Sequence, residues 1–252
     1  MLIKYIFGMF SLIHIIIIIM LSCLVILGII FVNKKINNDK SLHILLVILA
    51  SALLFLEIIT RASDIVHSVN EGATINVFGQ ERPYNYWMFL PNSFCSSIAL
   101  TLPFFIFFKK YRNSKYIDAI ISMSILGMVT NIFYPEYLGR LPFFEARTWG
   151  AILYHTIMGF LALVLLTKRI VSYELKNWYY TPIILCIFIT IGLFEITCLN
   201  FSTAFNIEGP LVAGFFLSNW YFLVLGYILM DVLLRLLVYL IRLTRERNNI
   251  EV

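Results

Sequence analysis

Apolar residues in this chain fall into long uninterrupted runs separated by short charged or turn-rich segments, at 6–32, 42–62, 87–108, 117–134, 147–167, 180–203 and 211–241. Each run reaches the eighteen or so residues that a helix needs to cross the roughly 30 Å hydrocarbon core of a bilayer. Helix is the conformation required, because an isolated strand in lipid leaves its backbone groups unpaired. The pattern therefore predicts an all-α bundle of seven transmembrane helices, one integral membrane domain over residues 1–252. The first run carries a single preceding lysine, Lys4, and reaches Val32 without a small-residue cleavage site. It is too long for the apolar part of a signal peptide and reads as a retained span.

Composition explains why the runs cannot be the core of a soluble domain. Hydrophobic residues make up 61% of the chain and charged residues 13%, about half of what a soluble domain uses to coat its surface. The net charge of +5 does not point to nucleic acid, since no basic face is interleaved with aromatics. It is topology information instead. Lys34, Lys35 and Lys40 follow the first run, Lys109, Lys110, Arg112 and Lys115 the third, Lys168, Arg169 and Lys176 the fifth, and Arg242, Arg245 and Arg247 the last. The alternate loops hold only Lys4, Arg61, Arg82, Arg140 and Arg147. Positive charge marks the cytoplasmic side, which predicts an external amino terminus and a cytoplasmic carboxyl terminus. The isoleucine-, asparagine- and lysine-rich composition suggests a bacterial source, hence a multi-pass protein of the plasma membrane.

The longest loop, about 63–86, is then external, with Gly72, Gly79 and Pro83, and leads into the aromatic cluster Tyr84, Tyr86 and Trp87 at headgroup level. Asn131 to Pro135 and Leu141-Pro142 bracket another external turn. Cys23, Cys95, Cys186 and Cys198 all lie in apolar runs without paired spacing, so neither a disulfide framework nor a zinc site is expected. No motif for a nucleotide, flavin, haem or other cofactor is present.

Polar residues inside the runs carry the functional information, because they are costly in lipid and face a bundle interior or a wet cavity. Cys95 lies eight residues past Trp87 and His155 eight past Arg147, which at helical rise places both about 12 Å below the external surface. His14 enters to a similar depth. Glu57 and Arg61, one turn apart, form a predicted pair, and Asn131, Glu195, Asn200 and Asn219 fall in the same outer third. The inner half holds mainly Asp231 and Arg235, whose spacing predicts a structural ion pair. Each outer residue also has a structural reading: histidines and asparagines that join helices, a buried apolar cysteine, a structural ion pair. The shared depth is what predicts a polar pocket opening toward the outer leaflet.

The segment Leu90-Pro91-Asn92-Ser93-Phe94-Cys95 resembles the opening of the third span in the YwaF-like family of bacterial integral membrane proteins. Tyr154-His155-Thr156 inside the fifth span, Leu199-Asn200-Phe201 near the end of the sixth, and Gly209-Pro210 followed by Asn219-Trp220-Tyr221 fit the same resemblance, which covers most of the chain. That family is similar to the eukaryotic transmembrane acyltransferase of ether phospholipids and, more distantly, to the androgen-induced transmembrane hydrolases. The former relies on a Cys and a His, the latter on a Thr and a His. The resemblance implies Cys95 as nucleophile, His155 as its base, Asn200 or Asn219 as an orienting or oxyanion-stabilising group, and membrane lipids as substrates. It departs at Ser93, where the family commonly has a histidine. A transporter or binding component using Glu57, Arg61, Glu195 and Asn219 in the same pocket is the competing expectation, although no repeat-related halves are evident. A retinal protein is excluded, since no span contains a lysine for the Schiff base.

Overall fold

The computed structural model describes residues 11–77, 80–83, 89–91, 93–112, 114–133, 145–199 and 220–250. Among these, α1 spans Leu12–Lys35, α2 Asp39–Asn70, α3 Phe94–Phe107, α4 Lys115–Phe133, α5 Ala146–Thr167, α6 Tyr180–Leu199 and α7 Trp220–Ile250. Six of these helices, all but α3, are long and apolar enough to cross a membrane. The chain is a multi-pass helical membrane protein.

Two expectations about boundaries need correction. The second helix does not stop near residue 62 but continues to Asn70, where Gly72 takes a left-handed φ of 64° and lets the following N–H groups close the helix end. A small antiparallel ribbon follows, β1 Thr74–Val77 against β2 Gln80–Pro83, with Thr74 opposite Pro83 and Val77 opposite Gln80.

The third apolar run also begins its helix later than residue 87. Leu90 and Pro91 are non-helical, and α3 starts at Phe94 because Ser93 caps it, its hydroxyl oxygen accepting from the Ser96 N–H at 3.2 Å. At 14 residues, α3 rises about 21 Å and is short for a span. Pro91 accounts for part of this, since a proline restricts the residue before it to extended backbone.

Burial separates an inner pair of helices from an outer set. The best apolar windows of α4 and α5 are 67% and 61% buried, against 22% for α1 and 11% for α7, so α4 and α5 form the centre. Leu27, Leu225 and Leu229 on α1 and α7 stand outward, as lipid-facing side chains do. Without a hydrophobic force between helices in lipid, close backbone approach has to come from small residues. Gly150 and Gly159 of α5 provide it: a Cβ on either would collide with Thr60 of α2 or Met128 of α4 respectively.

A buried polar network ties the end of the bundle that holds the α5–α6 connection. Asp231 on α7 accepts from the Tyr173 hydroxyl at 3.1 Å, the Thr181 hydroxyl at 2.7 Å and Arg235 Nε at 2.9 Å. Arg235, fully buried, donates to the Glu174 carbonyl at 2.8 Å and lies over the Tyr173 ring. Asp118 of α4 accepts from Ser172 and Asn177. The Asp231–Arg235 pair expected from spacing is therefore present, within a larger cluster that the spacing did not reveal.

Candidate functional site

Cys95, His155 and Gly127 come from three different helices and meet. The position a Cβ on Gly127 would occupy lies 3.3 Å from Cys95 Sγ and 3.7 Å from His155 Cδ2. The thiol and the imidazole therefore share the notch that the missing Gly127 side chain leaves on α4. Met158 fills the rest of it, its Cε 2.8 Å from the same point.

The histidine ring is held in one orientation and one tautomer. Nδ1 bonds the Ala151 carbonyl at 2.7 Å, one turn back along α5. A carbonyl only accepts, so Nδ1 carries the proton and Nε2 presents a lone pair. The ring atom nearest the notch is Cδ2, the C–H carbon next to Nε2. Tyr154 stacks on the imidazole with ring centroids 4.0 Å apart.

Cys95 sits in the first turn of α3, where helix geometry aims backbone N–H groups beyond the helix end. The Tyr227 ring of α7 packs edge-on against Phe94, the residue before Cys95, with centroids 5.5 Å apart. Tyr227 escaped sequence reasoning because a tyrosine in an apolar run looks like any other aromatic core residue. Its hydroxyl at mid-span was the one available signal.

A second polar group lies beside this site. Arg61 donates from both Nε and Nη2 to Glu57 Oε1, at 3.1 and 2.9 Å, and from Nη1 to the Leu90 carbonyl at 2.8 Å. Glu195 of α6 is 1% exposed, and neither carboxylate oxygen has a hydrogen-bond partner among the described residues. The Thr60, Ser97 and Asn131 side-chain oxygens, also buried, share that property. Apart from Arg235 Nη2, these orphaned atoms fall on the half of α2, α3, α4 and α6 that flanks Arg61 and Cys95.

Other expected members are placed differently. His14 is fully buried but bonds the Ile132 carbonyl at 3.2 Å, joining α1 to the end of α4. Ser93 is occupied as the α3 cap and also donates to Ser96 Oγ at 3.0 Å. Asn200 and Asn219 lie outside the described residues, as do Asn92, the cluster Tyr84, Tyr86 and Trp87, and the Gly209-Pro210 turn. Cys23, Cys186 and Cys198 are exposed on the lipid-facing surface. A shallow depression of about 490 Å³ between Pro182 and Ile191 uses the outward face of α6, not the face that carries Glu195. No group of three or more His, Cys, Asp or Glu among the described residues is arranged to hold a metal ion.

These features define a multi-pass helical membrane protein with a thiol–imidazole pair near one end of its bundle. No protein-family model, no curated protein and no solved structure matches the chain.

Proposed function

We propose that this protein is a membrane-embedded enzyme that cleaves or transfers acyl groups of lipid esters, with Cys95 as nucleophile and His155 as its general base. One observation carries the reading: the Cys95 thiol and the His155 ring, its Nδ1 engaged by the Ala151 carbonyl, border the same notch over Gly127. A lone buried cysteine is unreactive, whereas a thiol beside a base with a free lone pair is the arrangement nucleophilic catalysis needs.

His155 Nε2 takes the thiol proton, and the Cys95 sulfur forms a bond to the ester carbonyl carbon. The resulting oxyanion is stabilised by N–H groups of the first turn of α3, aided by the positive end of the helix dipole. The carbon–oxygen bond to the alcohol then breaks, and His155 returns its proton to that alcohol. An acyl thioester on Cys95 remains. A lysolipid hydroxyl or water, deprotonated by His155, attacks the thioester and releases the thiolate, which recovers the proton.

In the same reading α3 is one of seven spans, with the amino terminus external and the carboxyl terminus cytoplasmic. The site then opens to the outer leaflet of a bacterial plasma membrane, and the chain belongs with the YwaF-like proteins it resembles. The deciding experiment reconstitutes the purified protein with diacyl phospholipids and measures released fatty acid, acyl transfer and the mass of the Cys95 peptide. The wild type is expected to show turnover and an acyl adduct on Cys95, both absent in Cys95→Ala and His155→Ala. Unchanged turnover in Cys95→Ala would sink the proposal.

A transport or binding role has one observation in its favour, the buried and unpartnered carboxylate of Glu195. Solute flux in proteoliposomes that persists in Cys95→Ala and is lost in Glu195→Gln would select it.

A further inference from the structure

The end of α3 opposite Cys95 is pinned to the bundle by a buried arginine. The helix stops at Phe107, and Phe108 leaves helical backbone at φ −92° and ψ 85°. A tight turn, Lys109–Tyr111, follows. Arg112 donates from Nε and Nη2 to the Ile106 carbonyl at 3.0 and 2.5 Å, and from Nη2 to His43 Nδ1 on α2 at 2.7 Å. The turn is therefore a fixed surface, closed from within by a guanidinium that satisfies the last carbonyls of α3.

On its outer side, three aromatic rings and two lysines make one patch. Phe104 stacks with Tyr111, centroids 5.9 Å apart and planes 19° apart, and lies 4.7 Å from Phe108. These contacts leave Phe104, Phe108 and Tyr111 at 48%, 52% and 42% exposure, so the rings still present a broad apolar face. Lys110 places its ammonium 5.8 Å from the Tyr111 ring centre, and Lys109 is exposed in the same turn. Neither lysine forms an ion pair among the described residues, whereas Arg61, Arg147, Lys176 and Arg235 all do. Asp118, the acidic residue nearest in sequence, is buried and accepts from Ser172 and Asn177.

From this juxtaposition we infer that the patch binds an anionic phospholipid, its phosphate held by Lys109 and Lys110 and its acyl chains lying against Phe104 and Phe108. Charge complementarity selects the phosphate, as it does for basic side chains at a membrane surface. The rings select an amphiphile, because a free anion would leave them uncovered. A choline headgroup carries its own cation and gains less from the lysines. The patch lies the length of α3, about 21 Å, from the turn that holds Cys95, and it stands whether or not acyl transfer depends on that thiol.

The test places the full chain in detergent with an equal mixture of phosphatidylglycerol and phosphatidylcholine of the same acyl chains. Native mass spectrometry then reads which lipid is retained. The wild type is expected to retain the glycerol lipid about tenfold over the choline lipid. Lys109→Gln with Lys110→Gln is expected to bring that ratio close to one, and Lys109→Arg with Lys110→Arg to preserve it. Lys34→Gln with Lys35→Gln removes the same charge from exposed positions at the end of α1 and is expected to leave the ratio unchanged. Phe104→Ala with Phe108→Ala should lower retention of both lipids alike. Equal retention in the wild type, or an equal effect of the two glutamine double variants, would overturn the site. Inorganic phosphate that displaces the glycerol lipid where chloride of equal ionic strength does not would overturn the lipid as its occupant.

Discussion

Arg61 on α2 donates to the carbonyl oxygen of Leu90 at 2.8 Å, across 29 positions of sequence. Leu90 belongs to a non-helical lead-in, and irregular backbone at the edge of a membrane is tolerated only where protein groups satisfy it. The same guanidinium holds Glu57. One side chain thus supports both the start of α3, which carries Cys95, and the electrostatics beside it.

Arg61→Ala is therefore expected to be severe. It leaves the Glu57 carboxylate, 3% exposed, without its partner and the Leu90 carbonyl without its donor. Breaking a buried pair from one side costs about 3–5 kcal/mol, to be seen as a large drop in melting temperature in detergent. Arg61→Lys keeps the charge but not the fork, and should fall between the two.

Substitutions at Gly127 separate stability from catalysis. An alanine Cβ would lie 2.8 Å from Met158 Cε, the flexible end of a side chain, and 3.3 Å from Cys95 Sγ. Met158 gives way at a cost of about 1 kcal/mol, while the thiol is pushed from the imidazole. Acyl transfer should fall well beyond the loss in melting temperature. Equal, small effects on both would mean that the notch does not align Cys95 with His155.

The glycines of α5 and α7 should behave oppositely. Gly159→Ala drives a Cβ into the Met128 side chain starting at its own Cβ, which cannot rotate away, and about 1–3 kcal/mol of destabilisation is expected. Gly226→Ala on α7 meets nothing within 4 Å, so the gain in helix propensity, about 0.5–1 kcal/mol, is expected to remain. Thermal unfolding of the two variants under one condition checks the contrast.

The Asp231–Arg235 cluster should tolerate loss of both charges better than loss of one. Asp231→Ala strands a fully buried guanidinium and removes the acceptor of Tyr173 and Thr181, costing about 3–5 kcal/mol. Tyr173 holds a left-handed φ of 41°, unfavourable for an aromatic residue, so its loop should loosen first and show as faster proteolysis between residues 168 and 180. Asp231→Leu with Arg235→Leu should recover most of the lost stability; recovery absent in the double variant would show that Asp231 acts through Tyr173 and Thr181 alone.

Membrane orientation has its own check. A fluorescent protein fused after Val252 should fluoresce, and alkaline phosphatase fused there should be inactive, if the tail is cytoplasmic. The reverse pattern would invert the bundle and place the Cys95 site at the inner leaflet.

Long apolar runs determine helices in lipid by themselves, because backbone groups in hydrocarbon have no other way to bond. Six of the runs accordingly match long apolar helices, although α2 and α7 continue eight and nine residues past the expected ends at 62 and 241. Residues one turn apart, Glu57 with Arg61 and Asp231 with Arg235, were equally legible, since helical periodicity alone brings such pairs together. Contacts between helices were not. Depth along the membrane normal assigned His14 to the same level as Cys95 and His155, yet His14 faces the end of α4, because depth says nothing about rotation of a helix about its axis. Only packing decided that the Gly127 notch receives a thiol and an imidazole together, and that Tyr227 of the last helix packs on Phe94 beside it. Ser93 makes the same point on a smaller scale: the family resemblance singled it out, and the start of a helix one residue later made it a cap.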